Sequence, residues 1–222
     1  LLRPVLDDLG RAPVAGESDL TAKLRGLLLG MLAVLGNDPD AQALCRDIVA
    51  SGSTDPELVA AATNAVAAKG TDADFDHYLH QFRTAGTPQE QLRFLYALAE
   101  FPEAAQVERA IELAFSGEVR TQNAPFLLNR CIANRWHGDM AWGAVRRRWA
   151  EANDKFPSST IVRMIDPVKL LTAPATVADV QSFFSEHPIP QATKTLDQVL
   201  ERQRVNAAML VREAERLAAA LR

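Results

Sequence analysis

The sequence predicts an all-α protein: a HEAT- or armadillo-like superhelix of stacked helical hairpins, closed by one long C-terminal helix. Alanine and leucine dominate the 222 residues, whereas aromatic residues make up only 6%, a balance that favours helices over β-strands. Apolar residues recur with the period of a helix through most of the chain. Short breaks interrupt this pattern at intervals of about 15–20 residues, so two successive helices have the length of a HEAT-like repeat.

The breaks mark where one helix ends and the next begins. Each combines a glycine that can end a helix with a serine, threonine, aspartate or proline that can start one. The clearest breaks are Gly36–Pro39, Ser51–Pro56, Lys69–Asp72 and Ala85–Pro88. Thr54 and Glu57 have the spacing of a capping box. A predicted core face between the third and fourth breaks consists of Phe75, Tyr78, Leu79 and Phe82.

The last part of the chain, from about Gln191 to Arg222, contains no helix breaker and predicts one long helix. Its apolar positions follow alternating steps of four and three residues, which form a single stripe. The stripe consists of Leu196, Leu200, Gln203, Ala207, Leu210, Ala214, Leu217 and Leu221. We expect it to pack on the end of the chain's own helical array. An intermolecular coiled coil is the alternative.

Charge is distributed unevenly along the chain. Residues 1–118 hold nine basic and 18 acidic side chains, whereas residues 119–222 hold 15 basic and ten acidic ones. We interpret 1–222 as one helical-repeat domain, with acidic hairpins over 1–118, a basic helical part over 119–190 and the closing helix over 191–222. The net charge of −4 argues against a strongly basic nucleic-acid binder.

Cysteine usage and hydropathy predict a cytoplasmic protein that does not associate with membranes. Cys45 and Cys131 lie far apart in apolar helical surroundings, as reduced core residues of cytosolic proteins do. The longest apolar stretch, Leu27–Leu35, is far shorter than the roughly 20 residues of a membrane-spanning helix. No signal peptide is visible.

Catalytic motifs are absent from the sequence. It contains no H-E-x-x-H, no G-x-S-x-G and no glycine-rich phosphate loop. His77 and His80 share one helix face at a spacing that suits a metal, but no third ligand follows at a usable distance. We therefore expect an exposed helix face there, no metal site and no catalytic residue in this chain.

The segment from Val119 to Ala150 is the most basic part of the chain. Its arginines and tryptophans are Arg120, Arg130, Arg135, Arg146, Arg147, Arg148, Trp136, Trp142 and Trp149. Three interpretations remain open: tryptophans that anchor the core beside surface arginines, a site for the acidic end of a peptide or a partner domain, and a nucleic-acid surface. Because three consecutive arginines point in three directions, they cannot all face one ligand.

Several short motifs resemble the C-terminal helical domain of the aminopeptidase N family, which includes puromycin-sensitive aminopeptidase and the endoplasmic-reticulum aminopeptidases. The likeness covers nearly the whole chain and rests on the order of weak motifs. These are Leu9-Gly10, Pro13, Gly16–Ser18, Leu24-Arg25, Ser116–Asn123, Asn134, Ala141-Trp142, Trp149, Lys155-Phe156, Ser158–Ile161, Val180, Phe183-Phe184, Gln198, Glu201 and Asn206. Arg11 and Arg148 depart from the residues common in relatives, which favours a divergent, bacterial branch.

The resemblance implies a domain of a zinc aminopeptidase that removes N-terminal residues from peptides. In whole relatives the zinc, its two histidines and glutamate, a second glutamate and a G-x-M-E-N loop belong to an upstream catalytic domain. The implied partners are therefore that catalytic domain, on the same polypeptide, and the peptide substrate. In the family, this helical domain caps the active site and forms the peptide chamber. A free-standing HEAT-like scaffold, or a nucleic-acid-binding helical-repeat protein, is the alternative.

The resemblance also directs attention to Arg120, Gln122 and Arg130 as residues that line the peptide chamber. A peptide of more than a few residues must place its C-terminal carboxylate in the chamber, and an arginine fork can bind a carboxylate. Arg120 follows the break at Ser116-Gly117, so we expect it near the start of a helix. Alternatively, Arg120 and Gln122 only fasten neighbouring helices through backbone carbonyls.

Overall fold

The computed structural model describes residues 2–10, 12–53 and 55–221, and it confirms the predicted all-α class. Thirteen α-helices and three short 3₁₀ segments make up the regular structure of these residues, which include no β-strand. None of these helices is both long and apolar enough to cross a bilayer. The chain divides after Pro102 into two compact units, called here the first and second units.

The first unit contains six helices. They are α1 Leu2–Leu9, α2 Asp19–Val34, α3 Pro39–Ser51, α4 Pro56–Ala67, α5 Asp72–Thr84 and α6 Pro88–Ala97, and the 3₁₀ segment Leu98–Glu100 follows α6. Helix α2 packs against α1, α3 and α4, and α5 packs against α6. This order of short antiparallel neighbours is the helical-hairpin pattern expected from the sequence.

The second unit contains the remaining seven helices. They are α7 Ala104–Phe115, α8 Ala124–Ile132, α9 Gly138–Arg147, α10 Trp149–Lys155, α11 Ser158–Ile165, α12 Pro174–Glu186 and α13 Thr193–Ala220. Two further 3₁₀ segments, Asp166–Leu170 and Pro190–Ala192, lie before α12 and α13. Helix α8 is central, because it contacts α7, α9 and α11.

Local chemistry explains where the helices of the first unit begin. Proline occupies the first helical position of α3, α4 and α6, where its missing N–H is not needed. The side chains of Ser18, Asp38 and Thr87 accept hydrogen bonds from first-turn backbone amides, and Thr71 forms a capping box with Asp74. These caps satisfy amides that a helix start leaves unpaired.

The capping of α4 falls on a different residue from the one that the sequence suggested. The Asp55 carboxylate accepts hydrogen bonds from the Glu57 and Leu58 amides, at 2.9 and 3.2 Å. Thr54, the predicted cap, lies outside the described residues, as does Arg11. Asp55 is almost completely buried, so its carboxylate needs further partners.

Aromatic side chains form the predicted core face of α5. Phe75, Tyr78 and Phe82 are buried, as the helical spacing predicted. The Phe75 and Tyr78 rings meet Phe101 edge to face, at centroid distances of 5.1 and 5.6 Å, a favoured aromatic geometry. The Tyr78 hydroxyl donates to the Thr63 carbonyl at 3.1 Å, so the one polar atom of this cluster is satisfied.

The long closing helix is confirmed, but its apolar stripe is buried over only half of its length. Leu196 and Gln203 are buried, whereas Leu210 is 52% exposed and Leu221 is 78% exposed. The Gln203 amide donates to the Leu171 carbonyl at 3.1 Å. Beyond this region, the described residues leave most α13 side chains exposed. The expectation that the whole stripe packs on its own array is therefore wrong for the C-terminal half.

Candidate functional site

The loop that joins α7 to α8 carries Arg120 and Gln122 on a well-fixed backbone. Gly117 has a φ of 86°, in the left-handed region that glycine adopts without strain. The Ser116 hydroxyl donates to a carbonyl in the last turn of α7, at 2.8 Å. Val119 is buried and so anchors the loop directly before Arg120.

Arg120 itself helps to begin α8. Its carbonyl accepts hydrogen bonds from the Asn123 and Ala124 amides, at 2.8 and 3.0 Å, while its side chain and that of Gln122 are exposed. Arg130 is half-buried in the last turn of α8. The two loop residues therefore lie before a nine-residue helix of about 13 Å, and Arg130 lies at its far end. That the three act together stays a prediction.

Arg146 belongs to a polar contact between α9 and α12. Its guanidinium lies 3.2 Å from one carboxylate oxygen of Asp179, and the other oxygen accepts a 2.9 Å hydrogen bond from the Trp142 indole. Trp142 is buried against Phe183, at a ring-centroid distance of 5.4 Å. The structure thus confirms Trp142 as a core anchor.

Arg148 connects the start of α10 to α7. Its guanidinium contacts Glu112 at 3.0 Å and Glu151 at 2.7 Å, and it lies 3.8 Å from the Phe115 ring centroid. Hydrogen bonds from Arg148 and then Lys155 lower the pKa of Glu151 to about 2. Arg146 and Arg148 thus point to different neighbours, as their consecutive positions require, and both have carboxylate partners.

An open cleft of about 590 Å³ lies on the second unit. Arg135 and Asp139 supply charge to its wall, and Trp136, Leu170 and Val211 supply apolar surface. The Arg135 guanidinium lies 5.9 Å from the Trp136 ring centroid. An aromatic face beside both charges suits a peptide segment. Sequence reasoning missed the cleft because its walls come from three distant parts of the chain.

Arg25 forms a fully buried ion cluster in the first unit. Its guanidinium lies 3.0 Å from the Asp55 carboxylate and forms a two-pronged contact with Glu17. It also donates to the carbonyls of Leu9 and Gly10, at 3.3 and 3.1 Å. The hydrogen bond from Arg25 lowers the pKa of Glu17. This cluster stabilises the fold and offers no free polar group to a ligand.

The histidines of α5 and the buried cysteines show no catalytic arrangement. His77 and His80 are exposed, as expected. Among the residues that the structure describes, no three His, Cys, Asp or Glu side chains are grouped so that they could hold a metal ion. Burial raises the pKa of the Cys45 thiol to about 11, so this thiol is protonated and unreactive near neutral pH.

Many of the motif residues fasten the fold. The Asn134 side chain accepts hydrogen bonds from the Trp136 and His137 amides, each at 3.0 Å, and so closes the turn before α9. The Lys155 ammonium donates to the Phe115 carbonyl at 3.0 Å. The Asn206 amide donates to the carbonyl of Lys169 at 2.7 Å. Polar motif residues that join elements in this way explain the resemblance without any chemical role.

Comparison with known proteins agrees with this pattern. Residues 1–205 match the family model described as the ERAP1-like C-terminal domain. The chain is 31% identical to Aminopeptidase M1 of Arabidopsis thaliana over 90% of this chain and 24% of that protein. It is 28% identical to Aminopeptidase M1-C of Oryza sativa subsp. japonica over 93% of this chain and 25% of that protein. The chain spans about a quarter of the length of these relatives, and it belongs to the ERAP1-like C-terminal domain family.

Proposed function

We propose that this chain is the C-terminal helical domain of a zinc-dependent aminopeptidase that removes N-terminal residues from peptides. The observation that carries the proposal is the family match over residues 1–205, together with relatives that are named aminopeptidases and are about four times longer than the matched region. In this proposal the domain caps the active site and forms the peptide chamber, and the catalytic domain lies on the same polypeptide.

The proposal divides the chemistry between two regions of the parent protein. A catalytic zinc normally takes three protein ligands, and the described residues of this chain offer no such group. We therefore assign the zinc ligands and the proton transfers to the catalytic domain. The helical domain contributes shape and charge that hold the remote part of a peptide. Binding energy from that remote part can orient the bond to be cleaved.

Arg120 is the strongest candidate contact for a peptide C-terminus. Its side chain is exposed, while its backbone is fixed by the turn that begins α8, so little ordering is needed on binding. A guanidinium binds a carboxylate through two parallel hydrogen bonds. Gln122, on the same loop, offers an amide donor to the same group. Arg130 is kept as a third, more remote candidate.

The test compares long and short substrates in the full-length enzyme. Loss of a charge-assisted hydrogen bond at an exposed site costs about 1 kcal/mol, so Arg120→Ala should raise KM about fivefold for a long peptide. A single-residue anilide should be hydrolysed normally, because it does not reach this domain. Arg147→Ala removes an exposed arginine from α9 and serves as the matched control. Unchanged kinetics on both substrates for Arg120→Ala would refute its role in binding the carboxylate.

A free-standing scaffold or nucleic-acid binder finds less support. Arg146 and Arg148 have carboxylate partners within the domain, which leaves fewer cations of the basic segment for phosphates. The cytoplasm is the proposed location, because both cysteines are free thiols in the core, as is usual in a reducing compartment.

A further inference from the structure

Helix α2 is apolar on two opposite sides, although only one side faces the core of the first unit. Leu28, Leu29 and Ala33 are buried on the inner side. On the outer side, Leu20 is 75% exposed and Leu27 is 60% exposed. A helix that is apolar all round belongs between two packed layers. The outer side of α2 therefore lacks a layer that its sequence anticipates.

The outer stripe of α2 follows the spacing of a helix-docking surface. Its members are Leu20, Leu24, Leu27, Met31, Val34 and Leu35, at alternating steps of four and three before the final residue. Residues with this spacing lie in one row along a helix. The stripe runs for 15 residues, so it is about 22 Å long.

A shallow apolar groove accompanies this stripe. Helices α2 and α4 approach so closely at Gly26 that a Cβ atom there would lie 2.9 Å from the Glu57 carbonyl oxygen. Gly30, Ala60 and Ala61 are also small, and together with the larger α2 side chains they line a groove of about 440 Å³. A groove of this kind accepts the apolar face of an amphipathic helix.

We propose that a helix from the segment directly upstream of this chain, on the same polypeptide, packs into the α2–α4 groove. Terminal repeats of helical arrays carry a polar outer face, and α2 does not, so its outer side is an internal joint of a longer array. The relatives are about four times longer than the matched region, which supplies the necessary chain. This inference needs only that extra length and is independent of peptidase activity.

The path of the chain into the first unit favours this occupant. Helix α1 packs on α2, and Arg3 pairs with Asp38, the residue that caps α3. Residues upstream of α1 therefore enter close to the C-terminal end of α2, next to Leu35. A segment tethered this close has a high effective concentration at the groove, which neither a second copy nor an unlinked protein has.

Maleimide labelling of Leu27→Cys tests the proposal, with Leu20→Cys as a second probe of the stripe. Cys45 and Cys131 are both buried, so they contribute little labelling in the native chain. Lys194→Cys, at an exposed position of α13, is the matched control. We expect both stripe probes to react as fast as the control in the 222-residue chain. In the longer polypeptide they should react at least tenfold more slowly than the control.

A photoreactive maleimide attached at residue 27 identifies the occupant. We expect its cross-links in the longer polypeptide to fall on the segment that directly precedes residue 1. Equal labelling of the stripe probes and the control in the longer polypeptide would overturn the proposal. Cross-links to a different region would overturn it too, as would protection of the short chain that rises with its concentration, the behaviour of a second copy.

Discussion

Replacement of Arg25 by alanine should severely destabilise the first unit. The Arg25 side chain is completely inaccessible to solvent, and that of Asp55 is 1% exposed. Arg25→Ala therefore leaves a buried carboxylate without its cation. It also removes the donors that reach the carbonyls of Leu9 and Gly10. Removal of one partner from a buried ion pair costs about 3–5 kcal/mol.

The structure places the cost at the lower end of that range. Asp55 keeps the hydrogen bonds from the two amides that it caps, and these partly compensate its charge. For a unit of roughly 100 residues, each kcal/mol lowers Tm by about 4–8 °C. A loss of about 3 kcal/mol should therefore lower the Tm of the first unit by at least about 12 °C. Arg25→Lys keeps the charge without the fork and should fall between alanine and the parent.

Thermal unfolding followed by circular dichroism and calorimetry measures this effect. Arg46→Ala, which removes an exposed arginine from α3 in the same unit, should change Tm by no more than 1–2 °C, roughly what a change within 0.5 kcal/mol produces. If Arg25→Ala unfolds within 2 °C of the parent chain, the buried cluster does not stabilise the first unit, and the assignment of its motif residues to structure is refuted.

Three further outcomes are expected. Leu196→Ala, at a buried site of α13, should cost about 2–5 kcal/mol in denaturant unfolding, whereas Leu210→Ala, at an exposed site, should cost under about 0.5 kcal/mol; equal costs would contradict the half-buried stripe. Because the pKa of Glu151 is lowered from its ordinary 4.5 to about 2, its stabilisation is present above pH 4.5 and lost towards pH 2. The Tm advantage of the parent over Glu151→Gln should disappear over that interval, and a constant difference would count against the ion pairs. Incubation with EDTA should leave the Tm of the 222-residue chain unchanged, and a shift would reveal a metal site.

Local chemistry made the helix boundaries predictable. Proline at positions 39, 56 and 88 fixes a helical φ and follows a residue that can cap, so no distant contact is needed. The burial of α13 was not predictable in the same way. The spacing from Leu196 to Leu221 shows which residues share a face, but the extent of that face's partner depends on tertiary packing.

The candidate site was predictable only in part. Trp142 was correctly assigned to the core because its helical spacing is local, but Arg25 was not singled out as buried, since arginine is seldom buried without a partner. A signal was present, because Arg25 lies between Leu24 and Gly26 in an otherwise apolar stretch. The cleft beside Trp136 needs three distant segments and could not be located from spacing alone.

The Arg25 cluster also bears on how the protein is made. All of its side chains and carbonyls come from residues 9–55. Since domains fold as units during synthesis, from the N-terminal side first, every partner of Arg25 has left the ribosome long before the second unit is translated. The most costly desolvation step in the first unit can thus be completed on the nascent chain, while the remaining helices are still being synthesised.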